Sequence, residues 1–295
     1  MSTVHSEVRT FRTARAILGE SLVWDPFGDM LWCDITAGLL HRSPLDGPVD
    51  GSGDTVLAIE PPLASFHPAV KGGFVASLAD RVVLLDDTGA IVETLATIAH
   101  AEGEMRMNEG KADPAGRWVS GSMVMGSDDR VAAVYSVDAD GYLAVLRTGL
   151  GVANGIDWSA DGRTMYFTDT AAGTIYRCSY SSAGELTDAR PFISGAPHDG
   201  LTLDADGCLW SGIYGEGRVA RYTPDGREDL SIEMPVPNIT SVAFGGSDLS
   251  TLFVASAREN LSEEDLEAHQ RSGDLFAIRT GTHGIPPRSF GSVGR

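Results

Sequence analysis

The sequence predicts an all-β chain folded as a six-bladed β-propeller, with four-stranded antiparallel blades around a central channel. Two observations carry this expectation: one unit recurs along the chain, and it recurs at an even spacing. The unit is clearest from Gly151 to Thr170, where Asn154 opens a short apolar strand, Asp161-Gly162 makes a tight turn, and a second strand follows over Met165 to Thr168. Glycine suits that turn because it tolerates positive φ. The stretches Asn108 to Gly116, Asp199 to Gly207 and Glu20 to Gly28 align with it, Thr240 to Gly246 is a weaker copy, and Leu63 to Pro68 is a degenerate one. Starts at Asn108, Asn154, Asp199 and Thr240 lie 46, 45 and 41 residues apart, the period of a four-stranded blade. Separate β-sandwich domains would not share one even period, so residues 1–295 read as a single propeller domain, with 1–7 and 282–295 as irregular tails.

Val8 to Ile17 alternates weakly and reads as a strand that joins the last blade, a device that closes the ring and removes sheet edges. Glu20 opens the first blade, and Leu31-Trp-Cys-Asp34 is its second strand. Gly47 to Asp54 is a loop. The second blade, Leu63 to Glu93, is apolar at its channel position and is expected to form a wall of the site. Ahead of the third blade, residues 101–111 gather Glu102, Glu104 and Glu109 with Arg106 and Lys111 around Asn108. Such a charge cluster is ordinarily a solvated loop; its place before a channel strand makes it a substrate-facing one. Short β-branched and aromatic runs between Gly, Asp and Pro supply the remaining strands, among them Arg117 to Gly121, Ala133 to Val137, Thr174 to Arg177, Leu209 to Gly212 and Arg218 to Tyr222. His198, beside Asp199, reads as a rim residue, with proton shuttling or metal binding as alternatives. Leu261 to Gln270 is the one clear helix, capped by Ser262 with acids in its first turn, inserted on the surface of the last blade. Gly273 to Ile278 is a closing strand.

Composition bounds the function. The formal net charge of −19 argues against nucleic acid and anionic membranes as partners. No apolar stretch approaches the roughly 18 residues that span a membrane, and the first residues have no apolar signal core, so a cytoplasmic protein is expected. Cys33, Cys178 and Cys208 are too few and scattered for a disulfide framework and read as small apolar strand residues. There is no C-x-x-C, H-E-x-x-H or G-x-S-x-G motif. A small-molecule substrate remains the expected partner, for a monomer or weak homo-oligomer.

Register alone places a site. The innermost strand of each blade runs along the channel, so the first residues of the repeats face one another at one mouth: Glu20, about Leu63, Asn108, Asn154, Asp199 and Thr240. Glu, Asn and Asp offer hard oxygen donors suited to one divalent ion, Ca²⁺, Mg²⁺ or Mn²⁺, with Zn²⁺ or Fe²⁺ also fitting. Three protein ligands leave positions open for water and substrate, the layout of a catalytic rather than a closed structural site; an ion that merely plugs the channel is the alternative. An open divalent ion polarises a carbonyl and acidifies water, and a neighbouring carboxylate takes the proton, which fits hydrolysis of an activated ester or lactone without a covalent intermediate.

Leu18-Gly-Glu-Ser-Leu-Val-Trp24, Arg106 to Arg117, Asn154-Gly-Ile-Asp-Trp158, Asp199-Gly-Leu201, Thr240 to Gly246 and Val254-Ala-Ser-Ala-Arg258 fall in order over almost the full length. In these segments the chain resembles the SMP-30/regucalcin/gluconolactonase family of six-bladed, metal-dependent sugar lactonases. The resemblance implies that Glu20, Asn154 and Asp199 are metal ligands, that Asp199 is also the general base, and that Arg106 and Asn108 contact the substrate. Where the family commonly has Asn-Asp-Gly this chain has Asn108-Glu109-Gly110, which places the extra methylene of Glu109 beside the substrate and bears on which sugar is recognised. Strict strand alternation would instead turn Glu109 away from the channel. The expected function is metal-dependent hydrolysis of an aldonolactone to the aldonic acid. The alternatives are a metal-dependent hydrolase of organophosphates or aryl esters on the same scaffold, and a non-enzymatic calcium-binding protein.

Overall fold

The structure, a computed structural model, describes residues 7–101, 104–127 and 129–291. Six four-stranded antiparallel sheets form a ring, the expected six-bladed β-propeller. The innermost strands are Gly19–Trp24, Ser65–Pro68, Met105–Ala112, Ala153–Trp158, His198–Leu203 and Ile239–Gly245, and each is followed outward by the next strands of its blade in sequence order. The sixth blade is completed from the other end of the chain. Its outermost strand is Val8–Arg12, paired with Leu275–Arg279. The expected ring closure is therefore present, but the strand stops at Arg12, and Arg15 takes a left-handed φ of 51° that turns the chain toward the first blade.

Burial explains why these segments read as nearly continuous apolar runs. Each blade is covered on both faces by its neighbours, as strands of fully buried sheets are. The hydrophobic core divides into six clusters, one in each seam between adjacent blades. Val23, Leu31, Phe66 and Phe74 join the first and second blades. Met107 and Trp118 pack on Val75 and Val82 of the second, and Phe11, Trp24 and Phe253 fill the seam between the sixth blade and the first. Leu63, expected as a wall of the channel mouth, lies in the first of these seams with no exposed surface. It is an apolar residue with a dry seam available beside it, and burial there removes more surface from water than a place on the channel would.

Around the channel the innermost strands do not pair with one another; side chains tie them together. Ser21 Oγ donates to the Phe66 carbonyl and accepts from the Phe66 N–H. Ser65 Oγ donates to the Asn108 carbonyl at 2.7 Å, and Asn108 Nδ2 donates to the Ala153 carbonyl at 3.1 Å. Thr240 Oγ1 donates to the Gly19 carbonyl at 2.5 Å. At the outer seam, Arg12 donates from Nε to Asp54 at 2.8 Å and from its other nitrogens to the carbonyls of Phe11, Pro44 and Gly47, joining the N-terminal strand to the loop of the first blade.

The helix is Glu263–Ala268, shorter than the expected Leu261 to Gln270, and Ser262 caps it in a reciprocal capping box with Asp265. Of the tails expected to be irregular, 1–6 and 292–295 lie outside the described residues; over 282–291 the chain makes isolated bridges, Gly284 to Asp204 and Phe290 to Ala69. Ile285, Pro286, Pro287 and Arg288 cross the channel mouth opposite the expected site and close a cavity of about 40 Å³ with His67, Lys111 and other inner-strand residues. No helix of the described residues is long and apolar enough to cross a membrane.

Candidate active site

Five of the six innermost strands carry one extra residue near their start. Between paired positions, Ser21 and Leu22 oppose Trp32, Asn108 and Glu109 oppose Gly121, Asp199 and Gly200 oppose Gly212, and Thr240 and Ser241 oppose Ala255; Gly155 has no counterpart. The second blade, whose inner strand pairs without a break, is the exception. A β-bulge locally re-aims side chains and ends strict alternation. Here it begins at Asn108, Asp199 and Thr240 and directly after Glu20 and Asn154, the residues that register singled out, and all five are buried. Ser21 pays for its bulge with a left-handed φ of 56°, offset by its two hydrogen bonds to Phe66.

Glycine sets the closeness of the strands. A Cβ on Gly155 would sit 2.3 Å from the Asp199 carbonyl oxygen, and one on Gly200 would sit 2.7 Å from that of Thr240. Only a residue without a side chain lets the strand bearing Asn154 approach the one bearing Asp199 so nearly.

The side chains differ in what they leave free. Asn154 Nδ2 donates to Thr170 Oγ1 at 3.2 Å, while its Oδ1 is buried without a hydrogen-bond partner. Asp199 Oδ1 is likewise buried and unpartnered. Glu20 accepts one bond, at 3.3 Å, from the Ser21 N–H. Arg106 Nη1 donates to Asn108 Oδ1 at 2.7 Å and to the Met107 carbonyl at 3.0 Å. Asn108 is thus engaged at both ends of its amide, by Arg106 and by Ala153. Glu109 does not turn outward: it is buried, its Oε2 has no partner, and its charge is felt at both Glu20 and Asp199. The bulge at Asn108 and Glu109 is what defeats the alternation argument.

The expected acidic cluster before the third blade separates. Glu104 is exposed, and Glu102 lies outside the described residues. His198 is corrected as well. It is not on the rim but fully buried, with Nδ1 3.2 Å from Ser211 Oγ and its ring edge-on to Tyr222. Burial, with a smaller push from Arg218, lowers its pKa to about 4, so it is neutral at pH 7. All three cysteines are buried and free, as their apolar strand setting implied.

Buried acids without donors titrate high. Burial first, then the charges of Asp199 and Glu109, holds the Glu20 carboxyl well above the usual carboxylate range. Burial and then Glu109 do the same to Asp199, with Arg106 opposing. Glu109 is pushed up to about 7 by burial; Lys111 opposes and Asp157 adds to the shift. Burial lowers the Arg106 guanidinium, against the charges of Glu259, Glu20 and Asp199. A divalent cation would reverse this logic by favouring the ionised carboxylates.

The donor set fits such a cation. Three oxygen-bearing side chains lie in register at one mouth, and the Asn154 and Asp199 oxygens have no donor to satisfy them. Among the described residues no three His, Cys, Asp or Glu side chains are arranged to hold an ion by themselves, so the set depends on the Asn154 amide. At the same mouth the sequence reading missed a cluster in which Tyr214 Oη accepts from Asn238 and Asn260 Nδ2, and Asn238 also bonds the Glu259 carbonyl. Nothing in the repeat flagged it, because its residues lie in loops that follow the strands rather than at the repeat's first position.

Comparison with known proteins agrees with this architecture. The family model described as SMP-30/Gluconolactonase/LRE-like region matches residues 18–258. The chain belongs to this family. A 6-deoxy-6-sulfogluconolactonase of Pseudomonas putida is 37% identical over 93% of this chain and 95% of its own length. A pentonolactonase of Haloferax volcanii is 32% identical over 91% and 93%. Among solved structures, a regucalcin described as a calcium-binding protein, from Agrobacterium tumefaciens, superposes with a TM-score of 0.88 at 28% identity, covering 97% of both chains. The match of this SMP-30/gluconolactonase-family chain runs through all of the bulged strands, from Glu20 to Thr240.

Proposed function

We propose that this chain hydrolyses a sugar lactone to the aldonic acid at the mouth bearing Glu20, Asn154 and Asp199, with these three residues holding one divalent ion. It is a hydrolase of carboxylic ester bonds, as its lactonase relatives are named. The observation that supports the site most is the pair of buried, donor-free oxygens on Asn154 and Asp199 beside Glu20. A bound ion would supply a Lewis acid for the lactone carbonyl and lower the pKa of water. Asp199 takes the proton of the attacking water as the new C–O bond forms. When the ring C–O bond breaks, Asp199 returns that proton to the leaving ring oxygen, so the products are the acid and a free hydroxyl. Arg106, whose Nη1 alone is bonded among the described residues, donates from Nε and Nη2 to substrate oxygens. Asn108 holds the Arg106 fork in place and touches the substrate with what its amide leaves over. Glu109 lies alongside, where its length bears on the size of lactone accepted.

The test is a substrate panel on the metal-loaded protein: gluconolactone, five-carbon aldonolactones, an aryl ester and a phosphotriester. Acid release from one or more aldonolactones, well above the ester and phosphotriester rates, is expected. Turnover of the phosphotriester alone would contradict the reading, and calcium binding with no turnover of any substrate would favour a binding protein.

A further inference from the structure

Thr170 ends the repeat unit that begins at Gly151 and has no role assigned to it by register, yet it stands between two of the residues read as ligands. Its hydroxyl donates to the His198 carbonyl at 2.7 Å, and the single hydroxyl proton is thereby committed. Only lone pairs remain for its second neighbour, the Asn154 amide, at 3.2 Å. The amide must therefore present its NH₂ to Thr170. Its Oδ1 is left on the other side, buried and without a donor. The carbonyl that anchors the hydroxyl belongs to the residue immediately before Asp199.

Thr170 is itself held firmly. Its N–H donates to the Val152 carbonyl at 3.0 Å. The preceding Asp169 accepts from the Gly151 and Val152 N–H groups, each at 3.3 Å, and from Arg130 at 2.6 Å. The same arrangement enters the first blade, where Asp34 accepts from the Ile17 and Leu18 N–H groups ahead of Glu20.

We propose that Thr170 is a positioning residue for the divalent-ion site: its hydroxyl selects the orientation of the Asn154 amide that offers oxygen, and links that amide to the backbone beside Asp199. The proposal rests on the reading of Asn154 and Asp199 as ligands. Outer partners that orient a ligand change metal affinity by about 10–100-fold when removed.

The experiment titrates Ca²⁺ and Mn²⁺ by calorimetry into metal-stripped full-length protein, without lactone. Thr170→Val, which keeps the shape and removes the hydroxyl, should weaken binding by about 10–100-fold. Thr170→Ser, which keeps the hydroxyl, should bind close to wild type, and the metal-free melting temperatures of the two should agree. Thr170→Ala is read in the same way if Thr170→Val does not fold. Asn154→Ala separates the two levels of the argument. If it loses binding while Thr170→Val binds as wild type, the positioning role is overturned and the ligand reading stands. If Asn154→Ala binds as tightly as wild type, the ligand reading falls and the positioning role with it. Thr170→Ser binding as weakly as Thr170→Val also overturns the proposal, since the hydroxyl would then not be what matters.

Discussion

Asp199 and Glu109 are both buried acids with an unpartnered oxygen, and they make different predictions. Asp199→Asn keeps an oxygen but removes the base, and loss of a general base costs about 10²–10⁴-fold in kcat. Steady-state kinetics on the metal-loaded variant checks this, with some metal still bound. Glu109 carries a pH signature. Its pKa of about 7 in the folded chain lies above its usual value of 4.5, so between those pH values the folded state binds more protons than the unfolded one. Stability must then fall as pH rises through that window and level off above it, by roughly 3 kcal/mol for a shift of this size. Glu109→Gln removes the penalty. In chelated protein its melting temperature should pull ahead of wild type as pH rises from about 4.5 to about 7; a constant difference across that range would contradict the burial of this carboxyl. Residue types at this scale were legible in the sequence wherever register reached them. Glu20, Asn154 and Asp199 came from the repeat alone, whereas the buried setting of His198 and the inward turn of Glu109 depend on packing and a bulge, neither of which leaves a mark on residue order.

The blades show the same division between what a repeat reveals and what it conceals. Strand order, the closing N-terminal strand and the Ser262 cap follow from local chemistry, although that strand ends at Arg12 rather than Ile17. The five bulges do not follow, because an extra residue in one strand is seen only against its partner. The approach of the strand bearing Asn154 to the one bearing Asp199 is set by Gly155, where a Cβ would lie 2.3 Å from the Asp199 carbonyl oxygen and 2.7 Å from Thr168 Oγ1. Gly155→Ala should therefore destabilise the chain by about 1–3 kcal/mol and weaken metal binding together, as overpacking forces the two strands apart. Denaturant unfolding alongside a metal titration would show whether the two effects travel together. Arg12 is the staple between the first and sixth blades, 2.8 Å from Asp54, with both side chains almost wholly buried at 2% and 4% exposure. Arg12→Met leaves Asp54 buried without its partner, which costs about 3–5 kcal/mol. A denaturation midpoint within error of wild type would mean that the ring closes without this pair.

At the scale of the molecule, six seams and a ring of side-chain ties hold one mouth of the channel in a fixed shape, while the tail at Ile285 to Arg288 closes the other. A propeller so arranged can bring oxygen donors from blades far apart in sequence to one channel mouth. An ion bound by the native state alone raises stability by mass action, by about 2.7 kcal/mol at a hundredfold excess over Kd. Glu20→Ala and Asn154→Ala should lose that increment in melting temperature while keeping the fold. Catalysis as proposed runs through these oxygens and the divalent ion they would hold. The most direct test strips the protein with chelator, verifies the metal content by elemental analysis, and follows lactone hydrolysis before and after a divalent ion is added back. Hydrolysis is expected to fall to the uncatalysed rate and to return on addition. Full activity in protein shown to contain no metal would contradict it.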